Sequence, residues 1–268
     1  MMHPPTNLII LELLLFTYLF VTPSQTLSQP IHVPLPTATK LYNHNRNHDH
    51  ESSLFCETWR FSVETNNAGN WSSVPVRCYK YVMDYMTGDR YALDFGLAAK
   101  NALEYARSVD IAGDKMDAWI FDVDETLLST FPYYKLHGFG KKNRTEFIKW
   151  GLGKGTKLPV LKASLRLYKE LRKLGFKIFL LTGRPEWIRN SSVANLMDVG
   201  YSDWERLILR QPSDENKTAI DYKSENRKKL EDEGYRIHGN SGDQWSDLLG
   251  YAISQRSFKY PNPMYYVA

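Results

Sequence analysis

Apolar and polar positions divide the chain into three successive patterns. From Leu8 to Val21 nearly every residue is apolar, with Glu12, Thr17 and Tyr18 the exceptions. A membrane-crossing helix needs about 20 such residues, so this run has the length of a signal-peptide core instead. Small residues at Thr22, Ser24 and Thr26 offer a cleavage point, and residues 1–26 are expected to be removed. No Lys or Arg precedes the run, which leaves an uncleaved anchor as the other reading. Residues 27–52 are punctuated by Pro30, Pro34 and Pro36 and then become polar, with His44, His48 and His50 among asparagines. They predict a flexible linker or pro-segment. Without apolar neighbours to fix a geometry, these histidines do not make a metal site.

The third pattern, residues 53–268, is that of a folded domain. Tyr81, Tyr85, Leu93, Leu97, Leu103 and Ala106 give residues 81–108 helical faces, with a break at Gly88. After Gly113 the rhythm changes. Ala118-Trp119-Ile120-Phe121 is a continuous apolar run, as a parallel strand covered on both faces requires. Similar runs recur at 177–181, 206–209 and 235–237. Leu161, Leu165, Tyr168 and Leu171 stripe a helix that Gly175 should stop, and residues 186–199 and 217–233 read as two more helices. Strands alternating with helices predict an α/β fold, a doubly wound parallel sheet preceded by a helical segment. Ligands of such sheets bind beyond the carboxyl ends of the strands.

Composition excludes several classes. A chain of 268 residues with 43% hydrophobic and 24% charged residues is neither disordered nor collagen-like nor a small disulfide scaffold. Its 34 Lys+Arg against 30 Asp+Glu include no dense basic block, so the footprint of a nucleic-acid partner is missing. Cys56 and Cys78 stand in no redox or nucleophile motif. They are either one disulfide of a secreted chain or two buried thiols. Asn70, Asn143, Asn190 and Asn216 each open an N-x-S/T acceptor sequence for glycosylation, a pattern that also arises by chance.

Chemistry concentrates at the strand ends. Phe121-Asp122-Val123-Asp124-Glu125-Thr126 closes the first strand, and Leu181-Thr182-Gly183-Arg184 the second. Lys223 lies ahead of the last strand, and Gly242-Asp243-Gln244-Trp245-Ser246-Asp247 follows it. Asp122, Asp124, Asp243 and Asp247 cannot all ionise side by side without compensation. A hard divalent cation with oxygen ligands removes the repulsion, and Mg²⁺ suits a few carboxylates plus substrate phosphate. Thr182 offers a hydroxyl, Gly183 a backbone N–H unshielded by a side chain, and Lys223 a point charge for phosphate oxygens. Together these groups fit phosphoryl transfer. His238 reads as a supporting residue of the last strand.

D-x-D-x-T, Thr-Gly, Lys and G-D-x-x-x-D in this order resemble the haloacid dehalogenase superfamily. The text at 54–67, 122–134, 180–185, 234–250 and 258–266 is similar to the plant acid phosphatase and vegetative storage protein family, over residues 54–268. The resemblance implies that Asp122 is the nucleophile and a metal ligand, and that Asp124 is the general acid/base and a ligand through its carbonyl. It implies that Thr182 and Lys223 hold phosphate, that Asp243 binds the metal, and that Asp247 orients water there. It also implies a small cap between the first two motifs. The stretch Trp150 to Lys157 departs, being Gly- and Lys-rich where the family is acidic and Ala-rich, and substrate choice sits there. The expected activity is a secreted or vacuolar Mg²⁺-dependent acid phosphatase on small phosphomonoesters, free of the membrane once the signal is cleaved. The alternative is a storage protein with incidental activity. Some storage members lack the first aspartate; this chain keeps it. The aromatic tail 260–266 is expected to pack, or to reach a second copy in a homodimer.

Overall fold

The computed structural model describes residues 47–140, 144–153 and 157–268. The expected signal peptide, residues 27–46 of the expected linker and Asn143 lie outside the described residues. Helix α1 (Asn47–Glu64) opens inside the stretch read as linker, ahead of the expected boundary at 53. Once Cys56, Arg60 and Val63 have buried one face of this helix, each further turn adds a backbone hydrogen bond at little nucleation cost. That is why a polar stretch without apolar signal becomes helical. Of the two readings open for the cysteines, the bridge is the one formed: Cys56 is bonded to Cys78, in the turn before α2 (Tyr79–Thr87). Replacing both cysteines by serine opens a crosslink of 22-residue separation and should cost about 3 kcal/mol in denaturant unfolding on the loop-entropy scale. An unchanged unfolding midpoint would contradict this.

Gly88 separates α2 from α3 (Asp89–Arg107), as the pattern predicts. Then follow β1 (Asp117–Phe121), α4 (Phe131–His137), α5 (Arg144–Gly153), α6 (Lys162–Leu174) and β2 (Lys177–Pro185). The chain continues through α7 (Arg189–Asp198), β3 (Arg206–Arg210), α8 (Ala219–Asp232), β4 (Arg236–Gly242), α9 (Trp245–Leu248) and β5 (Arg256–Lys259). All strand pairs are parallel, in the order β3-β2-β1-β4-β5. β5 is the strand the pattern does not announce. It is a four-residue edge with a single buried side chain, Phe258, so it carries no continuous apolar run.

The central strand shows why the runs are unbroken. Trp119 and Phe121 join the cluster that includes Ala102 of α3 and Leu167 and Leu171 of α6. Ala118 and Ile120 join Tyr222 and Leu230 of α8 on the other face. Successive residues of a strand point to opposite faces, so two covered faces need apolar residues at every position. A Cβ on Gly239 would lie 2.4 Å from the Trp119 ring, so glycine lets β4 close against β1. At the far end of these strands His238 donates or accepts at both ring nitrogens, Nε2 with Asp117 at 2.7 Å and Nδ1 with Gln255 at 2.9 Å. It supports the sheet, as expected, and stands at the end opposite Asp122. The chain runs outward through β1, β2 and β3, then returns to place β4 on the other side of β1. The ligand crevice of such a sheet opens where this reversal occurs, beyond β1 and β4.

Candidate active site

Asp122 leaves the end of β1 with its N–H bonded to the Ser241 carbonyl of β4 at 3.0 Å. The chain then turns tightly, Leu127 and Leu128 both donating to the Val123 carbonyl. Within this turn Glu125 has a φ of 56°, a left-handed conformation unfavourable for a residue with a Cβ. Its buried carboxylate accepts from Tyr91 Oη at 2.6 Å, from the Thr130 N–H at 2.8 Å and from the Ser129 and Thr130 hydroxyls. The turn is thereby clamped to α3 and to the start of α4, and Asp122 and Asp124 project from a fixed loop.

Lys223 comes from the second turn of α8, which Thr218 caps by accepting the Asp221 N–H. Tyr222 Oη donates to the Thr182 carbonyl at 3.1 Å and ties this helix to the end of β2. Lys223 Nζ lies 2.5 Å from Asp122 Oδ1 and 3.0 Å from Asp247 Oδ1, and it also donates to the Leu181 carbonyl. Burial works against its charge, but Asp122 and Asp247 outweigh burial and hold the ammonium above its usual range. Asp247, the third residue of α9, accepts the Gln244 N–H at 3.0 Å. A Cβ on Gly242 would stand 2.5 Å from the Asp247 Cβ, so only glycine allows this carboxylate to fold back over β4.

Asp243 Oδ2 accepts from Asn262 Nδ2 at 2.6 Å and Gln244 Nε2 at 2.8 Å, while Oδ1 accepts from the Thr126 hydroxyl at 3.3 Å. Gln244 also accepts the Val267 N–H at 2.9 Å, so the C-terminal segment clasps this carboxylate. Asp124 turns the other way. Arg184 grips it with Nε at 3.0 Å and Nη2 at 2.7 Å, and Arg184 Nη1 donates to the Ser192 hydroxyl at 3.0 Å. Two parallel N–H donors fix a carboxylate's plane as well as its position.

Carboxylate oxygens of Asp122, Asp243 and Asp247 lie within 4.8 Å of one another. Burial raises the Asp122 carboxyl well above its ordinary range although Lys223 opposes the shift; Asp247, Asp243 and Asp124 add to it. Burial, with the Asp247 charge, raises Asp243 to about 7. One ammonium therefore does not compensate this cluster. The hydroxyl of Ser246, a residue of the same cavity wall only 2% exposed, has no hydrogen-bond partner among the described residues. Excess carboxylate in a buried oxygen-rich site with an unused hydroxyl fits a hard divalent cation. The Asp124 side chain is outside that trio, in keeping with a role for its carboxyl other than metal ligation.

These groups open into one cavity of about 610 Å³, walled on one side by Tyr134, Phe147 and Ile148 and on another by Trp71, Tyr265 and Tyr266. Tyr265 stacks on Tyr134 with ring centroids 4.6 Å apart. The tail expected to pack does so, and it forms part of the cavity wall. Gly183 and Arg184 are the wall residues at β2; Thr182 is fully buried beside them, its oxygen accepting the Arg184 N–H at 3.2 Å. Arg184, Glu125, Ser246 and Asn262 are the site residues the motifs do not assign. Arg184 was within reach, directly after Thr-Gly. Asn262 joins Asp243 from 19 residues downstream and has no local signal.

A doubly wound parallel sheet with paired aspartates after its central strand and a buried lysine–aspartate cluster beside them defines a phosphatase of the haloacid dehalogenase class. The chain belongs to the haloacid dehalogenase superfamily, subfamily IIIB of acid phosphatases, whose sequence profile matches residues 41–268. It is 55% identical to acid phosphatase 1 of Solanum lycopersicum over 216 residues, 80% of this chain and 84% of that one. It is 40% identical to the stem 28 kDa glycoprotein of Glycine max, over 79% of this chain and 84% of that one. Vegetative storage protein 1 of Arabidopsis thaliana is also 40% identical, over 79% of this chain and 78% of its own. Among solved structures, the class C acid phosphatase from Bacillus anthracis superposes with a TM-score of 0.58 over 70% of this chain and 84% of its own, at 20% identity. That likeness supports the fold.

Proposed function

We propose that this protein is a Mg²⁺-dependent acid phosphatase that hydrolyses small phosphomonoesters through an aspartyl-phosphate on Asp122. The observation that carries the reading is the convergence of Asp122, Asp124, Lys223, Asp243 and Asp247 on one cavity beyond β1 and β4. An Asp122 oxygen attacks phosphorus, the bond to the ester oxygen breaks, and Asp124 gives that oxygen its proton. The carboxylate of Asp124 then takes a proton from water, the water attacks the acyl phosphate, and inorganic phosphate leaves with Asp122 regenerated. Lys223, the Gly183 N–H and the Thr182 hydroxyl hold phosphoryl oxygens, and Arg184 positions the Asp124 carboxyl. Asp122, Asp243 and the Asp124 carbonyl would hold Mg²⁺, which supplies charge stabilisation at the phosphoryl group.

Chelation tests the reading. EDTA should abolish turnover of nitrophenyl phosphate by the purified chain, and added Mg²⁺ should restore it. Full activity in metal-free buffer would remove these carboxylates from a ligand role.

The chain is further proposed to enter the secretory pathway and to reside in the vacuole or wall. Support comes from the apolar run 8–21, the four acceptor sequences, the Cys56–Cys78 bridge and the relative named as a glycoprotein. No described helix is long and apolar enough to cross a membrane. A storage role is the second reading, favoured by the 40% identity to vegetative storage protein 1. The retained Asp122 favours the enzyme.

A further inference from the structure

We propose that Asn70 carries an N-linked glycan at the rim of the catalytic cavity and that this glycan confines the enzyme to small phosphomonoesters. The inference rests on the phosphatase and secretory readings above and adds to them a modification site with a consequence for substrate choice.

Asn70-Trp71-Ser72 is an acceptor sequence in the connection between α1 and α2, within residues 69–75, which contain no helix or strand. Exposed irregular chain is where such a sequence can be reached. All three residues belong to the wall of the catalytic cavity, beside Tyr265 and Tyr266. Asn70 is exposed, and its Oδ1 accepts the Tyr266 hydroxyl at 2.6 Å. That bond fixes the amide plane. It uses the oxygen only; the nitrogen that glycosylation modifies has no hydrogen-bond partner among the described residues. Attachment joins Asn70 Nδ2 to the anomeric carbon of a lipid-diphosphate-linked oligosaccharide. The carbon–oxygen bond to the diphosphate breaks, the lipid diphosphate leaves, and Nδ2 loses one proton. Oδ1 remains an acceptor throughout, so the Tyr266 contact survives modification.

The other acceptor sequences in the described residues differ. Asn190 lies inside α7, and the hydroxyl of its Ser192 is buried and accepts from Arg184. Asn216 is exposed in the turn before α8; it does not itself line the cavity, although Lys217 and Thr218 of its acceptor sequence do, and Thr218 serves as the helix cap. Of these three asparagines Asn70 is the one that itself lines the cavity, and a branched, hydrated sugar chain on it would stand at the entrance to the site. A glycan on Asn70 would narrow the entrance on the side of Tyr265 and Tyr266, against a bulky alcohol on the ester more than against a small one.

The test uses the full-length chain secreted from a plant host, with glycopeptide mass spectrometry and steady-state kinetics on nitrophenyl phosphate and on a phosphoserine peptide. Asn70 should be occupied. Enzymatic removal of the glycan should raise kcat/KM for the peptide at least about tenfold and change that for nitrophenyl phosphate by less than about twofold. Because that treatment converts the asparagine to aspartate, Ser72→Ala provides a second route. It blocks attachment, keeps the Asn70–Tyr266 bond and should reproduce the higher peptide-to-nitrophenyl ratio. An unoccupied Asn70 with glycan on other sites overturns this inference and leaves the secretory reading standing. No glycan at any site overturns both. An occupied Asn70 whose removal leaves the ratio unchanged also overturns the gating role, and loss of all phosphatase activity in the native glycoprotein removes the phosphatase reading with it.

Discussion

Replacing Asp122 with asparagine should abolish phosphatase turnover without unfolding the protein. The substitution keeps the side chain's shape but removes both the attacking oxygen and one charge of the carboxylate cluster. Loss of a nucleophile lowers kcat by roughly 10⁴–10⁶-fold where a residual electrostatic site persists. Lys223 would not be stranded, because Asp247 remains 3.0 Å from its ammonium. The thermal midpoint should therefore move by only a few degrees, roughly the shift of a 1–2 kcal/mol change. Rapid-quench trapping with labelled substrate should capture an acid-stable phosphoenzyme in the parent protein and none in Asp122→Asn. A trapped phosphoenzyme in that variant, or turnover at the parent rate, would reject the aspartyl-phosphate mechanism and move the storage reading ahead.

Asp124→Asn should behave differently, because it leaves the nucleophile in place. A lost proton donor typically costs about 10²–10⁴-fold in rate. Poor leaving groups need protonation most, so the loss should be larger for an alkyl phosphate than for nitrophenyl phosphate. The second step also loses its base, so phosphoenzyme should accumulate when the leaving group is good. Equal losses on both esters would reassign Asp124 to a structural role with Arg184. Circular dichroism should accompany the kinetics, since Arg184 is buried and would keep the Ser192 hydroxyl but lose its carboxylate partner.

Both predictions depend on side chains whose chemical types are local but whose relations are not. The runs at 118–121, 177–181, 206–209 and 235–237 announced a doubly wound sheet because two covered faces demand apolar residues at every position. The strand-end rule then pointed to Asp122, Asp124, Thr182, Gly183, Asp243 and Asp247 as candidates, and Lys223 joined them from the segment ahead of the last strand. Those inferences need only residue type and order along the chain. β5 carries no such pattern, since an edge strand with one buried residue has neither alternation nor a continuous run. Helix α1 begins before its apolar residues do, because propagation extends a helix into polar sequence.

The pairings inside the site belong to the fold. That Arg184 holds Asp124 while Lys223 sits between Asp122 and Asp247 depends on how α8 and the end of β2 approach β1. Asn262 meets Asp243, and Gln244 meets Val267, because the chain returns across β4 after β5. Asn70 reaches Tyr266 across 196 residues of sequence. Residue type and order sufficed for four of the five strands and for naming the candidate groups at their ends, since burial and charge leave their mark on composition position by position. Which group faces which was left to tertiary packing, because a hydrogen bond between distant residues imposes no pattern on the sequence around either partner.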